Sequence, residues 1–249
     1  MRNTGIIRIG IGGWVFAPWR GTFYPKGLSQ AQELGFASRH LTAIEINGTF
    51  YGAQQPASYR RWHDDTPADF LFSLKGPRFV THRGELATAG PSIDNFFGRG
   101  VLELRDKLGP IVWQLAPTKQ FDRDGMAAFL ALLPKAIDGR PIRHVIEARH
   151  KSFAAPEFAE LLRQHAVAVA RVDDAHHPAF DEVTADFFYL RLRRCQEDEP
   201  TGYPAEALDR WAERARGWAA AGRDVFLYFI NGAKVRAPAA AQALIARLG

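Results

Sequence analysis

A single (β/α)8 barrel, a TIM barrel spanning residues 1–249, is the architecture that three features of the sequence point to. Eight short runs rich in β-branched and aromatic residues recur along the chain; stretches with helical spacing of apolar positions separate most of them; and no internal repeat or linker-like Gly/Ser/Pro tract divides the sequence. A doubly wound open sheet is the competing arrangement. It normally carries a Gly-rich turn leading directly into a helix, whereas IGIGGW runs on into VFAPWRGTFYP, which is aromatic, proline-containing loop text. Gly10, Gly12 and Gly13 are therefore read as places where backbone passes close to a neighbour or a ligand.

The strands are expected at IIRIGIG (6–12), TAIEIN (42–47), FLFSLK (70–75), IVWQLA (111–116), HVIEAR (144–149), VAVARVD (167–173), FFYLRLR (187–193) and VFLYFI (225–230). Helical spacing predicts helices at about 29–40, 55–64, 92–108, 123–137, 156–165, 205–221 and 238–248. The connection DAHHPAFDEVTADF, between the sixth and seventh strands, is too short and polar for a full helix, so that layer is expected to be incomplete. In LLPKAIDGRP, Asp138, Gly139 and Pro141 mark a helix end and a turn. Trp211, Trp218 and the Ala-rich stretch 212–221 read as an amphipathic outer helix, with Arg210, Arg214 and Arg223 as its solvated charge.

Composition bounds the function classes. The 249 residues, 47% hydrophobic, can bury a large core, and no segment approaches about 18 uninterrupted apolar residues, so no membrane partner is expected. The first residues lack the pattern of a secretory leader, and the expected location is the cytoplasm, with a monomer favoured. The one cysteine, Cys195, excludes an internal disulfide; Arg193 and Arg194 beside it would lower its pKa if the thiol were reactive. A formal net charge of +5 favours anionic partners without any polybasic tail.

The stretch EINGTFY poses the functional question, because Glu45 sits inside a run that reads as a buried strand. A buried carboxylate needs a partner. If alternate residues point into the barrel, Glu45 and Asn47 share the inward parity with Ser73 and Lys75, with Glu147 and Arg149, with Arg171 and Asp173, and with Tyr189, Arg191 and Arg193; Gln114 joins them. The opposite parity is apolar, as at Ile44 and Ile46, Phe72 and Leu74, or Ala170 and Val172. Polar side chains from six strands then meet at the C-terminal mouth, where barrel enzymes hold their sites. The competing reading is an interior ion-pair network whose members only satisfy one another.

In these segments the sequence resembles the YecE-like family, the domain-of-unknown-function 72 proteins. GIGGWVFAPWRGTFYP, EINGTFY, FLFSLKGPRFVTH, LGPIVWQLAP, EARHKSF and FLYFING follow the family's signatures in order, from Ile9 to about Leu244. The resemblance implies a TIM barrel, and no established activity; likeness to the endonuclease IV and xylose isomerase group is one of fold only. It places motif positions on Gly13, Trp14, Trp19, Glu45, Asn47, Thr49, Phe50, Tyr51, Lys75, His82, Gln114, Glu147, Arg149 and His150, with Asp173 and Arg191 also matching. The chain departs from the family where Tyr-Phe-Asn-Asn-Asp becomes Tyr228, Phe229, Ile230, Asn231 and Gly232, and where Arg-x-His-Gly becomes Arg191, Leu192, Arg193 and Arg194. Near the last helix, Gln242 and Ala243 stand for the usual Asn-Ala. These changes remove candidate ligands from one side of the mouth.

The expected chemistry is that of an enzyme for an anionic, phosphate-bearing small molecule. Glu45, Glu147 and Asp173 are the acid/base candidates; Trp14, Asn47, Tyr51, Lys75, His82, Gln114, Arg149, His150, Arg191 and Asn231 are the binding candidates, and Arg193 adds a further donor. A non-catalytic anion-binding barrel is the bland alternative. A divalent metal would draw on Glu45, His82, Glu147, His150, Asp173 and His176 or His177, but no HxH or HExxH spacing supports it, and no cofactor is named. Nucleic acid is the second class of partner, through the basic and aromatic loop text of Trp14, Phe16, Trp19, Arg20, Phe23 and Tyr24, and of Lys75, Arg78, Phe79, His82 and Arg83.

Overall fold

The computed structural model describes residues 4–249 except 83, 84 and 175, so Arg83 lies outside the described residues. Eight parallel strands close into a barrel: β1 (Ile7–Gly12), β2 (Ala43–Ile46), β3 (Leu71–Lys75), β4 (Leu108–Gln114), β5 (His144–Glu147), β6 (Ala168–Asp173), β7 (Phe187–Leu192) and β8 (Asp224–Phe229). Each strand pairs with its neighbours in sequence, and β8 returns to β1, pairing Ile7 with Val225 and Ile11 with Phe229. The helices are α1 (Glu33–Ala37), α2 (Gly48–Tyr51), α3 (Pro56–Asp64), α4 (Arg78–His82), α5 (Gly90–Gly98), α6 (Arg123–Leu132), α7 (Pro156–His165), α8 (Ala205–Ala220) and α9 (Ala237–Leu248). Among the described residues no helix joins β6 to β7, as the polar connection predicts, and no helix is long and apolar enough to cross a membrane.

Outward residues such as Ile44, Phe72, Ile146, Leu190 and Leu227 pack under the helices, while Ala43, Val112, Val145, Ala170, Tyr189 and Tyr228 fill the interior. Both sets are largely apolar because parallel strands are covered on both faces, and polar residues gather where the inner stack reaches its C-terminal end. Close strand approach demands glycine on β1: a Cβ on Gly10 would fall 1.9 Å from the Ala43 carbonyl oxygen. α8 buries Leu208, Ala212, Ala215 and Ala219, the spacing of one helical face.

Three helices differ from their expected spans, each for a local reason. The expected helix at 92–108 is broken after α5 by Gly100 at φ +93°, and the chain resumes as a 3-10 turn over Val101–Lys107. The helix expected to 137 stops at Leu132, two residues before Pro134. Asp138 and Gly139, both at positive φ, then turn a small hairpin pairing Ala136–Ile137 with Arg140–Pro141. The helix expected at 29–40 is a 3-10 turn followed by the short α1. α2 and α4 are too short to register as a helical period, and they carry part of the mouth.

The expected parity fails on β6. Ala168 and Ala170 face inward, and Val172 packs against the same cluster, so Arg171 and Asp173 face outward. Ala170 pairs with Tyr189, where the interior has room for a methyl group beside a phenol. Arg171 instead lays its guanidinium 4.6 Å from the Phe188 ring and donates to the Asp181 carbonyl, covering outer-layer aromatic surface while its head stays polar.

Candidate functional site

The interior stack ends in a buried ionic layer. Tyr228 and Ser73 hydroxyls bond at 2.7 Å, and above them Tyr189 donates to Glu45 Oε2 at 2.8 Å. Arg191, at the C-terminal end of β7, reaches across the barrel with all three of its nitrogens. Its Nε and Nη2 donate to Glu45 Oε2 and Oε1, each at 2.9 Å, and its Nη1 donates to Glu147 Oε2. Glu147 Oε1 accepts from Gln114 Nε2 and Arg149 Nε, both at 2.8 Å. Glu45 and Glu147 are 0% exposed and Arg191 is 3% exposed. Burial alone would raise the Glu147 pKa, but Arg191 and Arg149 overcome it and hold the carboxyl at about 2. Burial would likewise lower the Arg191 pKa, and the two carboxylates raise it instead. All four carboxylate oxygens are thus engaged, which explains why Glu45 stands inside a strand.

One further cation stands in this layer with no such partner. Lys75 Nζ donates to Gln114 Oε1 at 3.0 Å and lies 3.8 Å from the Phe50 ring centroid; among the described residues it has no carboxylate partner. Burial depresses its pKa to about 8, with Arg191 acting in the same direction and Glu45 opposing it. The local charge is therefore positive: Glu45 and Glu147 offset Arg191 and Arg149, and Lys75 remains over.

Above this layer opens a cavity of about 750 Å³ at the strand C-termini. Of the residues expected to bind, Trp14, Asn47, Tyr51, Lys75, His82, Gln114, Arg149, Arg191 and Asn231 line it. Lys75, Arg149, Arg191, Arg193 and Lys234 face it, and among the described residues no Asp or Glu does. Glu45 and Glu147 form its underside rather than its wall. His82 packs edge-on against Phe50, 5.2 Å between centroids, and its pKa is lowered, first by desolvation and then by Arg149 and Lys75, so its imidazole is neutral near pH 7.

Two expected site residues are placed elsewhere. His150 caps the 3-10 turn over Lys151–Ala154, its Nδ1 accepting from the Ser152 amide and sharing a 2.8 Å bond with the Ser152 hydroxyl. Asp173, on the outward parity of β6, pairs with Arg194 at 3.1 Å and accepts from Tyr203 at 3.2 Å. The loop aromatics Trp19 and Tyr24 are buried, packed on one another and on Phe16 and Phe36, with Trp19 Nε1 donating to the Lys234 carbonyl, so they offer no exposed stacking face. Cys195 is buried and its pKa is raised to about 12, the reverse of activation by Arg193 and Arg194. Arg193 is engaged by Asp174 at 3.0 Å, and His177 sits beside both. Among the described residues no three His, Cys, Asp or Glu side chains converge as a metal site would require. Lys234 and Gln54 enter the cavity without having been singled out; both lie in loops after barrel strands, a position that alone nominates them.

The family model described as "Protein of unknown function DUF72" matches residues 8–249. The chain belongs to this family. It is 26% identical over 151 residues to the UPF0759 protein YecE of Escherichia coli K12, an alignment covering 60% of this chain and 51% of that protein. The chain thus spans about half the length of the curated relatives it matches. A DUF72 family protein of Thermotoga maritima, TM1631, superposes with a TM-score of 0.75 at 22% identity, covering 96% of this chain and 97% of the other. SacUVDE shares the fold at a TM-score of 0.59 and 11% identity, covering 96% and 98%.

Replacing Arg191 by Met leaves Glu45 and Glu147 buried without their shared counter-charge, and is expected to lower unfolding free energy by about 3–5 kcal/mol in urea titrations. A loss under about 1 kcal/mol would show that the layer relaxes without its cation. The Lys75 amine gives a pH signature. With its folded pKa at about 8 against a usual 10.5, the unfolded chain alone holds the proton between those values, so stability rises through that window. Wild-type protein should therefore gain on Lys75→Gln by on the order of 1–2 kcal/mol from pH 7 to about pH 9.5; parallel stability curves would contradict the assignment.

Proposed function

We propose that the mouth cavity binds a small, phosphate-bearing anion and that the protein is an enzyme acting on it. The observation that carries this reading is Lys75, which has no carboxylate partner among the described residues, in a wall whose other basic side chains include Arg149, Arg191 and Arg193, already paired with carboxylates outside the cavity lining. A cation held in low dielectric without a partner favours an incoming anion, which supplies the missing counter-charge. Arg149 is anchored through Nε to Glu147, leaving its terminal nitrogens for a fork-like contact with phosphate or carboxylate oxygens.

The division of labour in this reading differs from the one the sequence suggests. Glu45 and Glu147 act as fixed counter-charges that position Arg191 and Arg149, since Glu147 titrates far below neutrality and neither carboxylate reaches the cavity. Proton transfer falls instead to Lys75, whose pKa of about 8 suits a group that gives and takes a proton near neutral pH, with the neutral His82 imidazole on the same wall. Asn47 and Asn231 supply neutral donors and acceptors at the rim. The basic wall is confined to a concave pocket, which favours a small ligand over a polymer wound on the surface.

Titration calorimetry with inorganic phosphate and ribose 5-phosphate tests the binding step. Both are expected to bind, and Arg149→Ala to weaken them about tenfold or more, the order of one charge-assisted contact. No heat from either anion, or an unchanged affinity in the variant, would overturn the proposal.

A further inference from the structure

A second cavity, of about 670 Å³, opens beside the first and shares Phe50, Tyr51 and Gln54 with it as a common wall. Its character differs from that of the mouth. Two of the chain's few exposed large apolar side chains stand on it, Tyr51 at 72% and Phe79 at 57% exposure. Among the described residues Arg78 and Arg99 are its charged residues, and no Asp or Glu lines it. Exposed rings of this size are unfavourable in water unless they meet something flat and apolar, while the arginines exclude a merely greasy occupant and favour one with negative charge or an electron-rich face. Continuity with the phosphate site is direct: Phe50 lies 3.8 Å from Lys75 Nζ on one side and 5.2 Å from the Tyr51 ring on the other. A single buried ring thus separates the amine from the exposed stacking surface.

We propose that this second cavity is a base-binding subsite, and that the ligand of the barrel is a nucleoside phosphate whose phosphate enters the mouth beside Lys75 and Arg149 while its base stacks on Tyr51 or Phe79. The proposal rests on the anion reading of the mouth and adds the ring. Neither ring plugs the barrel: α2 and α4 follow β2 and β3 directly and present Tyr51 and Phe79 to solvent at the edge of the pocket.

Calorimetry with adenosine 5′-monophosphate, ribose 5-phosphate and inorganic phosphate separates the two claims. The nucleotide should bind about tenfold or more tightly than ribose 5-phosphate, within the range that one stacked base contributes. Phe79→Ala and Tyr51→Ala together should remove that margin; Phe79→Ala alone, whose ring lines only the second cavity, should leave the response to inorganic phosphate intact, which also shows that the substituted protein is folded. Equal affinity for the nucleotide and the sugar phosphate, or a margin that survives both substitutions, overturns the subsite and leaves the anion site standing. Absence of binding by all three probes overturns both. Binding of a short single-stranded oligonucleotide with no response to the mononucleotide overturns the nucleotide assignment in favour of a strand.

Discussion

Arg191 is the hinge of the site's electrostatics. A guanidinium at the end of β7 spans the barrel to carboxylates on β2 and β5, and its three nitrogens meet three of their four oxygens. Replacing such a layer with apolar residues would often leave a barrel as stable or more so, so its presence here is better understood through what it orients than through what it stabilises. Glu147 also receives Gln114 and Arg149, so the same bridge sets the direction of the two side chains nearest the cavity floor. Gln114 in turn presents its carbonyl oxygen to Lys75. One ion pair thereby fixes a chain of donors that ends in an amine whose partners among the described residues are an amide and a phenyl ring.

The surrounding aromatics determine how strongly that amine acts. Phe50 lies under the amine, and Trp14 meets Trp62 edge-on at 5.2 Å among the cavity's lining residues, so one side of the cavity is aromatic. Low dielectric raises the cost of an unpaired charge and equally raises the gain when an anion arrives. On the opposite side, Lys234 lies 4.6 Å from the Phe16 ring in the same fashion. Cations resting on rings and lacking carboxylates are thus a repeated device of this mouth, distinct from Arg193, which Asp174 already neutralises.

Most of the barrel was legible because its signal is repeated eight times. Continuous apolar runs separated by helical spacing specify parallel strands covered on both faces, and every expected strand overlaps an observed one. The inward parity could be read on β2, β5 and β7, where polar residues alternate with Ile and Leu. It misled on β6 because Ala is as much an interior residue as an outer one, and because Arg171 satisfies its charge from the outer layer while its stem covers Phe188 and Trp218. The polar positions were visible, but not their division between floor and wall: Glu45 and Glu147 lie beneath the cavity lining, while Arg191 and Arg149, which they hold, face the cavity. Tyr51 was nominated by its motif, while Phe79, named only as loop text, gained its place through α4, a helix too short to have a period.

Soaking crystals with tungstate, a heavy-atom phosphate mimic, and locating it by anomalous scattering asks most directly whether the uncompensated cation at the floor is an anion site. A tungsten peak in the mouth, with oxygens on Lys75 Nζ and the terminal nitrogens of Arg149, is the result that the charge arrangement predicts. A mouth that stays empty of tungstate while peaks occupy exterior arginines, or a refined structure in which a carboxylate has swung onto Lys75, would contradict it.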